Sequence, residues 1–291
     1  SAVEGSTVAV MCDADASHSG SKAENLSKKT GKKVEVVNDY RRVLDRKDID
    51  VVTIAAPNHW HALMTLQACQ AGKHVYVEKP LTHSFREAEL LIQAEKKYGV
   101  VTQMGNQGHS SPGARQFQQL LQAGAIQDIV KIEAYKSPAL WFMNAAKRIS
   151  EYPKAEPIPE SLNYDLWCGP MTMMPFSRLY HPFDWRGFFL FGTGMLGDWG
   201  AHLIDFAHDY LKLGLPTQVE ALRMDDHNKV IFPLSSHIRM EFPERGPDLP
   251  ACEMIWRDGA DAIPTLDEKY HNADASGKLT APNIGHAGTI L

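Results

Sequence analysis

The sequence predicts an α/β protein in two parts. The first is a doubly wound parallel sheet over residues 1–120, and the second an α/β domain on a mostly antiparallel open sheet over residues 121–291. Three observations carry this. Short apolar runs alternate with amphipathic stretches through the first third, the pattern of βαβ units. From about Ile129 the pattern changes to long alternating runs with few helices between them, as in antiparallel sheets with one covered face. Glycine or proline stands at many of the junctions.

The elements follow in order. Thr7–Cys12 is a β-branched strand ending at Asp13, and the helical stretch after it closes at Gly31. Lys33–Val37 is a short strand followed by a helical turn. Asp50–Pro57 is almost continuously apolar, as a buried parallel strand would be. A helix runs to Gly72, and His74–Val77 is the next strand. Ser84 and Glu87 form an S-x-x-E capping box that opens another helix. Val100–Asn106 is a strand and "ARQFQQLLQAG" a helix, with the domain boundary placed near residues 107–128. "IVKIEAYKS" then begins the second part. An aromatic, proline-rich stretch from Pro138 to Tyr180 precedes one long helix, "GDWGAHLIDFAHDYLKLG". Strands "TQVEALRM", "SSHIRMEFP", "ACEMIWRDG" and "GTIL" complete the chain.

Composition excludes several classes. With 44% hydrophobic and 22% charged residues in 291, the chain reads as an ordinary globular protein. A net charge of −5 without a basic stripe argues against nucleic acid. No apolar run approaches the ~18 residues of a membrane span. Cys12, Cys69, Cys168 and Cys252 are far apart and form no C-x-x-C pair, so they predict reduced, structural thiols. The chain starts at Ser1 without a methionine, so residues before it are allowed for. The compartment stays open between the cytoplasm and, with an export signal ahead of Ser1, the periplasm.

Residues 76–83 read "YVEKPLTH", which puts Glu78, Lys79 and Pro80 just beyond an apolar strand. Ligands of open α/β sheets lie outside the carboxyl ends of the strands, and proline restricts the backbone of the residue before it. A dinucleotide-binding domain of this kind opens with a strand and a G-x-G-x-x-G turn that sets the pyrophosphate on a helix N-terminus. The sequence contains no such turn. It does contain the residue that follows: Asp13 ends a strand, where an acid accepts from the adenosine ribose hydroxyls. The expectation is a Rossmann-like domain whose first strand and glycine turn precede Ser1, against a protein that has lost cofactor binding.

With these pieces placed, the chain resembles the glucose–fructose oxidoreductase / inositol dehydrogenase / MocA family of NAD(P)-dependent oxidoreductases. The resemblance rests on "CDAD" (Cys12–Asp15), "DRKDIDVVTIAAPNHWHA" (Asp45–Ala62), "AGKHVYVEKPLT" (Ala71–Thr82) and "GTGMLGDWGAHLID" (Gly192–Asp205). It departs in lacking the glycine turn and in stopping at "GHAGTIL", where relatives continue through further strands. The resemblance implies that Lys79 touches the reacting hydroxyl and the nicotinamide ribose. A lysine desolvated beside a cationic nicotinamide would have a lowered pKa, suited to acid–base work. It implies that Pro57, Asn58 and His61 line the cofactor, with Glu78 and Pro80 supporting that strand end. NAD is the expected cofactor, NADP being possible, because the Asp13 carboxylate repels a 2′-phosphate.

Asp198 and His202, at i and i+4, share a helix face, so the carboxylate could tune the imidazole as proton acceptor. Lys79, Asp198 and His202 are the catalytic candidates. Asn106 ends a strand on the substrate side. The aromatic stretch, including Trp141, Phe142, Trp167, Phe188 and Phe189, reads mostly as core. Tyr180, His181, Trp185 and Arg186 are the candidates for a wall against a sugar or polyol. No metal is expected: His59 and His61 lie near a helix start without carboxylate or cysteine partners at ligand spacing. The expected reaction is hydride transfer at a sugar or cyclic polyol carbinol. The alternatives are NAD-dependent glycoside cleavage by transient oxidation and elimination, with Tyr180 or His181 as base, and a non-catalytic sugar-binding or scaffold module. A homo-oligomer through the second-domain sheet is also expected.

Overall fold

The computed structural model describes residues 5–138, 149–247, 249–273 and 276–291; Trp141 and Phe142 lie outside them. The chain forms two compact units. Unit one gathers residues 1–105, 152–185 and 190–192, and unit two residues 106–151, 186–189 and 193–291. The sequence had placed a single division at residue 120, with the aromatic stretch entirely in the second part. Instead residues 152–180 of that stretch fall in unit one.

In unit one, β1 (Val10–Cys12) and β2 (Glu35–Val37) pair in parallel, flanking α1 (Ala16–Thr30). After the short α2 (Arg41–Leu44) come β3 (Val51–Ile54), α3 (Asn58–Gln70), β4 (His74–Glu78), α4 (Phe85–Tyr98) and β5 (Thr102–Gly105). β3, β4 and β5 form a second, all-parallel sheet. The alternation read from the sequence is therefore present, divided between a two-stranded and a three-stranded sheet. The helix ends follow local chemistry. Asp15 caps α1 and Gly31 closes it at φ 69°, while Ser84 and Glu87 form both halves of the capping box on α4.

β3 corrects one expectation. Only Val52 and Ile54 are buried, whereas Val51 is 56% exposed. Those two join Val75, Val77, Ala68, Cys69 and Ala94 in one core beneath α3 and α4. Helices cover that face of the strand and leave Val51 on the other, so the strand alternates although its sequence is almost uniformly apolar.

The irregular segment Tyr152–Trp185 contains α6 (Tyr164–Cys168), and its anchor is steric. A Cβ on Gly169 would stand 2.0 Å from Trp60 Cζ2, and the residue has φ +54°. Only glycine permits both the contact and the conformation.

In unit two, a 3-10 helix at Gln107–Ser110 leads to α5 (Pro112–Gln122) and β6 (Lys131–Lys136). Further on come α7 (Gly194–Leu203) and α8 (Asp205–Tyr210), then β7 (Gln218–Asp225), β8 (Ser235–Phe242) and β9 (Cys252–Asp258). A short hairpin, β10 (Asn272–Ala273) and β11 (Leu279–Thr280), precedes β12 (Ala287–Ile290). The sheet order is β12-β6-β9-β8-β7, antiparallel except for the β6–β9 pair. The long helix expected after residue 196 is two helices, broken at Ile204, where φ is −96° and a new acid-led turn begins at Asp205. Met195, Leu196, Trp199 and Leu203 of α7 pack with Ala134, Ile238 and Trp256 of the sheet.

The cysteines carry no disulfide, and Cys69, Cys168 and Cys252 are buried, as expected. Among the described residues no helix is long and apolar enough to cross a membrane.

Gly169→Ala is expected to lower the stability of unit one by about 1–3 kcal/mol, the usual cost of overpacking, or more given the positive φ. Chemical denaturation followed by tryptophan fluorescence measures it, and unchanged stability would show that Trp60 moves aside freely.

Candidate active site

In unit one the candidate residues gather at the carboxyl ends of the parallel strands. β4 ends at Glu78, whose register partner in β5 is Gly105. Lys79 and Pro80 follow, joined by a cis peptide bond, and all three are half-buried. Pro57 precedes α3 after β3, and Asn58, His59, Trp60 and His61 are all buried in the first helical turn. His61 joins the two strand ends: Nδ1 lies 2.6 Å from the Pro80 carbonyl oxygen and Nε2 2.7 Å from that of Ala56. Burial lowers its pKa, while the two carbonyls and Glu78 pull the other way. His61 is thus occupied in fixing the turn that carries Lys79, a role the sequence reading had not given it.

Asp13 ends β1 as expected. Its backbone N–H donates to Val37, its Oδ1 accepts from the Asp15 N–H at 2.9 Å, and its Oδ2 lies 3.6 Å from His18 Nδ1. The side chain remains 40% exposed, leaving carboxylate lone pairs open to solvent.

Unit two holds the other group. Asp198 is buried on α7, one turn before His202, and Arg186 Nε lies 3.9 Å from its Oδ1. The His202 ring meets the Trp199 ring edge-on at 5.9 Å. Glycines let the start of α7 approach closely: a Cβ on Gly194 would meet the Phe232 ring at 2.6 Å. Asn106 precedes the 3-10 helix, with both amide atoms buried and without a hydrogen-bond partner among the described residues. A Cβ built on neighbouring Gly108 would lie 3.9 Å from Asn106 Oδ1 and 3.8 Å from the His202 backbone oxygen. The same unit contains a dyad that sequence reasoning missed, His109 Nδ1 at 2.5 Å from Asp205 Oδ2. The only signal was a histidine and an acid 96 residues apart.

The expected sugar wall does not assemble. Tyr180 is fully buried, edge-on to Phe191 in the core of unit one, and burial raises its hydroxyl pKa. Trp185 is buried too, its indole N–H donating to the Pro182 carbonyl. His181 faces Asp15 and stacks on His18, with its pKa lowered by burial against the pull of Asp15. Arg186 alone of the four belongs to unit two, where it accompanies Asp198. Aromatic density marked a core, because large rings dominate cores as readily as they form binding surfaces.

Unit one thus carries a strand-end lysine beside a buried helix turn and an acid ending its first strand, and unit two an Asp–His helix. Residues 7–106 match the pattern described as "Oxidoreductase family, NAD-binding Rossmann fold", GFO_IDH_MocA, and residues 114–241 match its "C-terminal alpha/beta domain". The chain belongs to this family. It is 34% identical over 93 residues to a levoglucosan dehydrogenase of Pseudarthrobacter phenanthrenivorans, covering 32% of this chain and 24% of that protein. It is 31% identical over 125 residues to an inositol 2-dehydrogenase of Salmonella typhimurium, covering 43% and 36%. A solved levoglucosan dehydrogenase in complex with NADH and levoglucosan superposes at TM-score 0.59 and 22% identity, over 88% of this chain and 58% of that one. That last likeness is one of fold. The chain spans well under half the length of these two curated relatives.

His59 supplies a pH prediction. Its ring nitrogens face the carbonyls of Phe191 (3.3 Å) and Trp167 (3.0 Å), and burial drives its pKa from 6.5 to about 4. The folded state therefore holds it neutral, and the stability this contributes is present above pH 6.5. It is lost as the pH falls through about 4, because the unfolded chain takes up the proton first. The loss is of order 3 kcal/mol. Urea denaturation at pH 7.5 and pH 4.5 should show it in the wild type and a smaller difference in His59→Gln; equal differences would count against the assignment.

Proposed function

We propose that the protein is an NAD-dependent oxidoreductase that interconverts a hydroxyl and a carbonyl on a sugar or cyclic polyol. The observation that carries this is the position of Lys79, at the carboxyl end of the central parallel strand and on a turn fixed by His61. Levoglucosan and inositol, which appear in the names of two relatives, belong to the proposed substrate class.

The fit to a dinucleotide can be judged part by part. Asp13, exposed at the end of β1, suits the hydroxyls of the adenosine ribose. The turn at Pro57–Asn58 and the strand end Glu78–Pro80 suit the nicotinamide riboside. No glycine turn occurs in this sequence for the pyrophosphate. Its place in the 3-2-1-4-5-6 strand order follows the first strand, which would stand between β1 and β3, each of which is paired on one edge only among the described residues.

When bound, NAD supplies the hydride acceptor. The remaining work is proton handling. Lys79 donates a hydrogen bond to the substrate hydroxyl oxygen, and His202 takes the hydroxyl proton. Asp198, with Arg186 3.9 Å away, stabilises the imidazolium that results. Asn106, with donor and acceptor both uncommitted, binds a neighbouring hydroxyl. For the elimination reading, Tyr180 and His181 are poorly suited as base, the first enclosed in core and the second turned to Asp15. A second copy of the chain is proposed to cover β7, where Val219 is 61% and Leu222 48% exposed; light scattering tests this.

Incubating the intact protein with NAD and a panel of sugars and polyols should raise absorbance at 340 nm. Aglycone release from aryl glycosides without that rise would favour the glycosidase reading instead. Asp13→Ala should narrow the preference for NAD over NADP, and an unchanged NAD affinity would remove Asp13 from the cofactor site.

Lys79→Met and His202→Asn should each lower kcat by about 10²- to 10⁴-fold, the range of general acid–base groups, with little change in Tm. The double variant should be far less impaired than the product of the two, since groups acting on one proton are non-additive. Full single-turnover hydride transfer in folded Lys79→Met would end the catalytic assignment.

A further inference from the structure

Unit one contains a cluster of side chains with no part in the proposed hydride transfer beyond Asp13. Asp15, His18 and His181 offer ligand atoms that all lie within 4.8 Å of one another. Asp15 is the N-cap of α1, and its Oδ1 is taken by the Ser17 N–H at 2.9 Å and the Ser17 hydroxyl at 2.6 Å. Its Oδ2 faces both imidazoles, at 3.6 Å from His181 Nε2 and 4.0 Å from His18 Nε2. The two rings are nearly parallel, 11° apart in plane with centroids separated by 5.4 Å. The other His18 nitrogen, Nδ1, turns to Asp13 Oδ2 at 3.6 Å.

A hydrogen-bonded His–Asp pair does not account for this geometry. Neither imidazole is within the 2.7–3.2 Å or so of an N–H···O bond to Asp15, and two stacked imidazolium rings would repel. Three donors instead surround a point that none of them fills. Around zinc, with Zn–N and Zn–O near ~2.0 Å, tetrahedral ligands stand about 3.3 Å apart. The observed 3.6 and 4.0 Å separations, within a cluster whose ligand atoms all lie within 4.8 Å of one another, exceed that by about 0.3 and 0.7 Å, so the side chains must draw inward to bind an ion. Ser17 occupies Asp15 Oδ1, and the Ser161 hydroxyl also bonds this carboxylate and would have to make room for an ion. Asp13 Oδ2 stands 3.6 Å from the second His18 ring nitrogen, where a small approach would let it orient the ring. The cluster is braced by backbone bonds from Ala16 N to Ser161 O (2.9 Å) and from Asn163 N to Ala14 O (2.8 Å). His18 is 37% exposed, which gives an ion a way in and leaves a fourth position for water.

We propose that Asp15, His18 and His181 bind a divalent transition-metal ion of the zinc class, with Asp13 orienting His18. The expectation of no metal was argued on His59 and His61, which the structure commits to backbone carbonyls; the donors brought together here are different ones. Asp15 and His18 have metal-compatible spacing, but His181 lies 163 residues from His18 and carries no local signal.

The test needs no nucleotide, so its outcome is separate from that of the hydride-transfer proposal. The chelator-treated full chain is titrated with zinc by calorimetry and with cobalt(II) by visible absorption. The wild type should take up one equivalent with d–d bands of low coordination number. His18→Gln, at a half-exposed position, and His181→Gln should each weaken binding at least tenfold while circular dichroism stays unchanged. His227→Gln, exposed and outside the cluster, should bind as the wild type does. Should His181→Gln fail to fold, His18→Gln decides. Wild type binding well under one equivalent, or His18→Gln binding as tightly as wild type, overturns the proposal.

Discussion

Unit one depends on finding donors for the carbonyl groups of a segment with little regular structure. Residues 152–192 contribute few ladder bonds, yet a buried carbonyl must be paired. The first turn of α3 answers this with side chains. Neutral His59 stands between the carbonyls of Trp167 and Phe191 and donates to one of them, while the Trp60 indole N–H is shared between the carbonyls of Leu166 and Trp167. His61 does the same for Ala56 and Pro80, and His83 Nε2 reaches the Gly192 carbonyl at 2.7 Å. Four aromatic heterocycles thus hold the loops that a sheet or helix would otherwise hold, and the strand-end turn with Lys79 is positioned by one of them. The bareness of Gly169 belongs to the same arrangement, since the Trp60 ring lies where a methyl group would be.

Unit two handles polarity in the opposite way. Asp198 is buried with Arg186 alongside, so its charge has a partner that a substrate need not supply. Asn106 is left with both amide atoms uncommitted. An unsatisfied buried amide is costly in a fold designed only to be stable. It is less so where an incoming hydroxyl completes the bonding, and this is why Asn106 carries weight in the functional reading.

Much of this was legible in the sequence because it is local. The capping box at Ser84–Glu87, the glycine at the end of α1 and the strand–helix alternation depend on neighbours within a few residues, and they appear where read. The strand-end position of Lys79 is of the same kind. What the sequence hid is long-range. Nothing local distinguishes Val51, exposed, from Val52, buried, once the strand is uniformly apolar; the helix-covered face decides. The break at Ile204 interrupts an unbroken apolar pattern without glycine or proline. Tyr180 and Trp185 looked like a binding wall because composition reports ring content but not which way a segment turns. His181 meets Asp15 only because residues 152–185 return to a unit whose strands were finished by residue 105.

That return also orders the events of synthesis. When residues 1–105 have left the ribosome, His59, Trp60 and His83 are in place, but the carbonyls of residues 166, 167, 191 and 192 do not yet exist. At ~5–20 residues per second, they follow on the order of ten seconds later. In that interval the first turn of α3 has polar rings with no acceptors and an indole with no glycine to lie against. The segment that begins unit two emerges in the meantime, so unit one is closed only at residue 192, after the other unit has been started. A nascent chain with this interleaving passes through an interval in which a helix start holding His59, Trp60 and His61 is only partly covered.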